Sequence, residues 1–119
     1  MAKIMIVDDS PADLRFMGDI LTRTPHAVTP VNNPLDVEAT AAREVPDLIL
    51  LDVVMPERNG YEVLRGLKRQ EGMERVKVVF VSSKGGETDV RWGLRQGAVD
   101  YLIKPYTAEQ VLAVLARHL

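Results

Sequence analysis

The sequence predicts an α/β fold, a doubly wound parallel sheet of five strands with helices on both faces. Three observations carry that expectation. Short apolar runs alternate with segments of helical periodicity, the pattern of repeated βα units. Ile4–Val7, Leu48–Leu51 and Val78–Val81 are continuously apolar, as strands buried on both faces are. The length of 119 residues suits one such domain, which at that size buries roughly two thirds of its unfolded surface without metals or disulfides.

The first strand is expected over residues 2–7. Asp9 or Ser10 then caps a helix with Pro11 in its first turn, where the missing N–H does no harm, and an apolar stripe of Leu14, Met17 and Leu21. The second strand, residues 27–31, is the weakest run and belongs near a sheet edge. Pro34 starts a poorly patterned second helix that ends before Pro46. The third strand, 48–52, closes on Asp52, and the helix after it begins at Asn59-Gly60 and buries Val63, Leu64 and Leu67. The fourth strand covers 76–81; its helix runs from about Gly86 to Gln96 with Val90, Gly93, Leu94 and Gly97 on one face. The fifth covers 99–103, and the last helix starts at the capping residue Thr107 and turns Val111, Val114 and Leu115 inward. Right-handed crossovers leave few topologies for this pattern, of which the flavodoxin-like (βα)5 order 2-1-3-4-5 is the commonest at this length.

Composition excludes several function classes. The 15 basic and 17 acidic residues are interspersed, giving a net charge of −2 and no basic stripe for nucleic acid. Without cysteine there is no disulfide framework, thiol nucleophile or thiolate metal site. The apolar runs are far shorter than the ~18 residues that span a bilayer, so no membrane insertion is expected. Met1-Ala2-Lys3 leads straight into the first run and leaves no room for a secretory signal, so a cytoplasmic protein is expected. Residues 1–119 read as a single domain without linker, repeat or output module.

Four polar signals each follow a strand: Asp8-Asp9, Asp52, Ser82 and Lys104-Pro105. Singly, each has an ordinary explanation as a helix cap, loop start, strand exit or turn. Jointly they fall at the carboxyl ends of four parallel strands, the edge where open α/β sheets bind ligands. Three carboxylates in one crevice repel one another unless a cation is present or a proton is taken up. A hard divalent ion such as Mg²⁺ fits oxygen ligands, whereas His26 and His118 lie outside the set and make zinc a poor match. A metal beside a carboxylate, an ammonium and a hydroxyl suits phosphoryl transfer. In that reading Asp52 is the nucleophile, Asp8 and Asp9 hold Mg²⁺, Lys104 neutralises one phosphoryl oxygen and Ser82 donates a hydrogen bond to another.

At these residues the sequence resembles the CheY-like receiver domains of two-component response regulators. The matching strings are Ile6-Val7-Asp8-Asp9-Ser10, Pro46-Asp47 through Asp52 to Met55-Pro56, Asn59-Gly60, Val81-Ser82-Ser83 and Gly97-Ala98 through Tyr101 to Lys104-Pro105. The stretch containing Ser82-Ser83-Lys84, Glu87-Thr88-Asp89, Trp92-Gly93 and Arg95-Gln96-Gly97-Ala98 is most similar to stand-alone regulators of type IV pilus and twitching systems. The resemblance implies that a histidine kinase phosphorylates Asp52. It implies Asp9, Asp52 and the Val54 carbonyl as direct Mg²⁺ ligands, with Asp8 acting largely through water. It further implies a cis Lys104-Pro105 peptide and a switch that couples Ser82 to the Tyr101 ring and reshapes the surface of the fourth helix, fifth strand and fifth helix. The signal then passes to an unidentified downstream protein; the alternatives are a phosphate sink for the kinase or a phosphorylation-independent interaction module. A monomer is expected, with dimerisation on phosphorylation as a further option.

Val54 and Lys84 are expected to flank the path of a hydrolytic water. An apolar side chain at Val54 cannot orient that water, which implies slow self-dephosphorylation. Trp92 falls off the apolar stripe of its helix and is expected to serve with Tyr101 as a partner contact. An aspartyl-phosphate phosphatase of the haloacid dehalogenase type is disfavoured because Val54 stands where that family has a second acid. A flavodoxin-like cofactor binder is disfavoured because Asp8-Asp9 repels phosphate.

Overall fold

The computed structural model describes residues Met1–Leu119. Its elements are β1 (Lys3–Val7), α1 (Pro11–Leu21), β2 (Ala27–Val31), a 3-10 turn (Pro34–Asp36), α2 (Val37–Glu44), β3 (Leu48–Asp52), α3 (Gly60–Arg69), β4 (Lys77–Ser82), α4 (Glu87–Arg95), β5 (Asp100–Ile103) and α5 (Ala108–His118). All strand pairs are parallel and the sheet order is β2-β1-β3-β4-β5, the expected flavodoxin-like arrangement with the weak second run at an edge.

Side chains alternate across the strands, so each central strand feeds two cores. Met5, Val7, Ile49, Leu51, Val78 and Phe80 pack with Val37, Ala41, Val63, Leu64 and Leu67 of α2 and α3. Ile4, Ile6, Leu48, Leu50, Val79 and Val81 pack on the other face with α1 and α5, through Met17, Ile20, Leu21, Val111, Val114 and Leu115. Each of the larger side chains, the valines, leucines, isoleucines, methionines and Phe80, stabilises the fold by roughly 1.5–3 kcal/mol. With helices on both faces, β3 is buried at every position, which is why its sequence shows no alternation.

The helices begin where their caps predict. The Ser10 hydroxyl accepts the Asp13 N–H at 3.3 Å, and Asn59/Glu62 and Thr107/Gln110 form reciprocal capping boxes. The second helix starts as the 3-10 turn and stops at Val45, whose φ of 47° is left-handed and breaks the hydrogen-bond ladder ahead of Pro46.

The fourth helix departs from expectation. Gly93 is its one buried residue; Leu94, expected on the same face, is 43 % exposed. Gly93 lets the helix settle on the Tyr101 ring: a Cβ there would lie 3.0 Å from two of the ring carbons. A nine-residue helix that meets the sheet through a glycine cannot also bury the side chain beside it.

Candidate functional site

The parallel register aligns the carboxyl ends of β1, β3, β4 and β5. Val7 lies opposite Leu51, Asp52 opposite Val81, and Ser82 opposite Ile103. Asp8, Asp52, Ser82 and Lys104 therefore share one edge. The crevice opens where β1 has β2 on one side and β3 on the other, the point at which the chain reverses its winding direction.

Asp8, Asp52 and Ser82 are buried there, and Asp9 is half-buried. Asp8, Asp9 and Asp52 each place a carboxylate oxygen within 4.8 Å of the others. Asp8 Oδ1 accepts the Ser10 N–H at 2.9 Å, and Asp52 Oδ1 accepts the Val53 N–H at 3.0 Å. Lys104 spans the crevice: its Nζ lies 2.8 Å from Asp8 Oδ2, 3.0 Å from Asp13 Oδ2 and 3.5 Å from Asp52 Oδ1. Its backbone N–H donates to the Ser82 carbonyl at 2.8 Å, and the Lys104–Pro105 peptide is cis.

Burial, followed by the negative charge of Asp8, raises the Asp52 pKa to about 6, against the pull of Lys104 and the Val53 N–H. Burial works against the charged form of Lys104 as well, but its hydrogen bonds to Asp8 and Asp13 and the charge of Asp52 outweigh it and hold its pKa above the ordinary lysine value. One ammonium does not neutralise three clustered carboxylates. The donor set is entirely oxygen, which matches a hard cation. His26 lies apart, accepting the Ala2 N–H at 3.0 Å, and His118 pairs with Asp100.

The β3–α3 loop that follows Asp52 is closed at its far end by the Gly60 N–H, which donates to the Val53 carbonyl at 2.8 Å. A Cβ on Gly60 would run into the Asp52 carbonyl, so this position tolerates only glycine without a backbone shift. Val54 sits 55 % exposed at the start of that loop. Arg58 anchors it from behind, pairing with Glu38 on α2 and donating to the Pro34 carbonyl at 3.3 Å. Guanidinium and hydrogen bond together lower the Glu38 pKa.

Ser82 is fully buried, its Oγ accepting the Lys84 N–H at 3.1 Å. Tyr101 lies outside the carboxylate cluster: its hydroxyl donates to the Lys84 carbonyl at 2.6 Å and its ring packs edge-on against Phe80, centroids 6.3 Å apart. Trp92 is about half exposed on α4.

Sequence reasoning missed Asp13 and the Arg58–Glu38 pair. Asp13 had a readable signal, since it stands four residues after Asp9 in the first turn of α1, and helical side chains lean back toward the amino terminus. Arg58 and Glu38 are 20 residues apart on different units and carry no such signal.

A doubly wound parallel sheet whose carboxyl edge gathers three aspartates, a lysine and a buried serine defines a receiver-type α/β protein. The chain belongs to the response regulator receiver domain family, whose pattern matches residues 4–116. It is 41 % identical over 115 residues to Protein PilH of Pseudomonas aeruginosa, covering 97 % of this chain and 95 % of PilH. It is also 35 % identical to a probable cyclic di-GMP phosphodiesterase of Vibrio cholerae, of which it spans 26 %. Among solved structures, the Vibrio cholerae chemotaxis protein CheY4 superposes with a TM-score of 0.92 at 26 % identity, over 100 % of this chain and 99 % of that one. The receiver domain of the sensor histidine kinase PA1611 from Pseudomonas aeruginosa, with a magnesium ion coordinated in its active site cleft, superposes at 0.88 with 28 % identity, over 98 % and 96 % of the two chains.

Proposed function

We propose that this protein is a phosphorylation-controlled signalling switch in which Asp52 accepts a phosphoryl group from a histidine kinase. The observation that carries the reading is the buried Asp52 carboxylate with Lys104 Nζ at 3.5 Å and the carboxylates of Asp8 and Asp9 beside it. Asp52, ionised above its pKa of about 6, needs no general base at neutral pH. Its oxygen attacks phosphorus in line as the bond from phosphorus to the kinase imidazole nitrogen breaks, and the electron pair leaves with the imidazole. Lys104 lies close enough to neutralise charge on a phosphoryl oxygen, and the Ser82 hydroxyl can donate to another.

Asp8, Asp9, Asp52 and the Val54 carbonyl would hold Mg²⁺, with Asp8 acting largely through water. The bound ion would neutralise clustered negative charge and screen the incoming phosphoryl group. The all-oxygen donor set supports this, as does the magnesium in the cleft of the PA1611 receiver.

Ser82 and Tyr101 form the switch. Both are tied to Lys84, one through its N–H and the other through its carbonyl, so drawing Ser82 toward a phosphoryl oxygen would loosen the tether on the Tyr101 ring. The surface affected carries Trp92, Leu94 and Ile103, all substantially exposed, and is the docking face for a downstream protein. Similarity to PilH along nearly all of both chains supports one receiver domain over residues 1–119 and a place beside the pilus and twitching regulators. No helix is long and apolar enough to cross a membrane; a cytoplasmic monomer is part of the proposal. Service as a phosphate sink for the kinase is the second reading.

Intact-mass analysis after incubation with acetyl phosphate and Mg²⁺ tests the assignment. One added phosphoryl group, absent in Asp52→Asn and in chelated protein, is the expected result; an unchanged mass under all conditions would count against it.

A further inference from the structure

We propose that Asp13 is a positioning residue that holds the Lys104 ammonium at rest and gives it up when a phosphoryl group occupies Asp52. The inference rests on the assignment of Asp52 as acceptor. A lysine has three N–H donors, and Lys104 faces three carboxylates, at 2.8 Å (Asp8), 3.0 Å (Asp13) and 3.5 Å (Asp52). Only the first two are hydrogen bonds, so a phosphoryl oxygen on Asp52 that draws Lys104 onto itself competes with Asp8 and Asp13 for the ammonium. Asp8 is enclosed, its side chain 11 % exposed, and keeps its grip; Asp13, at 48 %, is the partner that water can most readily replace. Asp52 carries the phosphoryl group itself. Asp13 thus competes with the phosphoryl group for the one cation that neutralises it, and its place in the first turn of α1 sets how strongly Asp52 retains a modification.

Equilibrium binding of beryllofluoride, which stands in for the phosphoryl group on a carboxylate, tests this by calorimetry at saturating Mg²⁺. Asp13→Asn is expected to bind about two- to fivefold tighter than wild type, the size of a half-exposed ion pair. Asp13→Glu restores the competing charge and should return binding toward the wild-type value. Asp19→Asn, which removes an exposed charge from the same helix, should change nothing and so separates competition for Lys104 from general repulsion of an anion. Magnesium binding by each variant, measured in the same cell, reports an intact site, and Asp13→Ser substitutes for the asparagine variant if that protein does not fold. Equal or weaker binding in the neutral variant would overturn the role of Asp13 and leave Asp52 as acceptor. Failure of Mg²⁺-loaded wild type to bind beryllofluoride would instead remove the acceptor assignment and this inference with it.

Discussion

Tyr101 donates its hydroxyl hydrogen to the Lys84 carbonyl at 2.6 Å, tying the edge strand β5 to the loop that follows Ser82. Lys84 in turn donates its N–H to Ser82 Oγ, so one residue links the buried hydroxyl of the site to the aromatic ring below α4.

Tyr101→Phe should cut that link while keeping the ring on Phe80. A single hydrogen bond of this kind contributes about 0.5–1.5 kcal/mol, so the urea midpoint should fall slightly. Amide exchange in residues 83–86 should quicken more than exchange elsewhere. A uniform change across the protein would show that the tether is not local.

The raised pKa of Asp52 has a defined sign. In the folded protein the group keeps its proton up to about 6, above the ~3.9 of an unfolded chain, so the metal-free fold binds the extra proton between those values. Stability without Mg²⁺ should therefore fall as pH rises from about 4 to 6 and level off above. Urea titrations in chelator should show this for wild type and lose that component in Asp52→Asn. At neutral pH the asparagine variant should be the more stable by on the order of 1 kcal/mol or more. Divalent binding competes with the same proton, so Mg²⁺ affinity should drop up to about tenfold per pH unit below 6.

Val54 offers no hydrogen bond at the mouth of the site, where it is 55 % exposed. Val54→Asn can orient a hydrolytic water, and one hydrogen bond of about 1 kcal/mol gained in the transition state corresponds to about fivefold in rate. The phosphoryl half-life of wild type should exceed that of the variant accordingly; equal half-lives would show that Val54 does not limit hydrolysis.

Gly60→Ala should destabilise the fold and disturb the site together, because its Cβ would meet the Asp52 carbonyl. Overpacking of this kind costs about 1–3 kcal/mol. Thermal unfolding and the rate of phosphorylation by acetyl phosphate should both decline, whereas Gly18→Ala, which has open space around it, should leave the rate unchanged.

Much of the fold was legible because its signals are local. Leu48–Leu51 is uninterrupted because both faces of β3 are covered, and Asp52 breaks that run where the strand meets the crevice. Ser10, Asn59 and Thr107 announce their helices through bonds that span three residues. The α4 face was misjudged because helical spacing records which residues share a stripe, and not how closely the helix approaches the sheet. Gly93 under the Tyr101 ring decides that approach and leaves Leu94 and Trp92 in solvent.

The sequence by itself determined the five βα units and the identity of the polar residues at the strand ends, since burial on two faces and helix capping act over a few neighbouring positions; the crossover rule narrowed the sheet order to a few topologies, and the tertiary structure selected β2-β1-β3-β4-β5. Tertiary structure alone decided that Lys104 divides its charge between Asp8 and Asp13, that Arg58 anchors the β3–α3 loop on Glu38, and that Tyr101 rests on Lys84. Each of these partnerships joins separate βα units, and only the crossovers that stack those units bring their charges and hydroxyls within bonding distance.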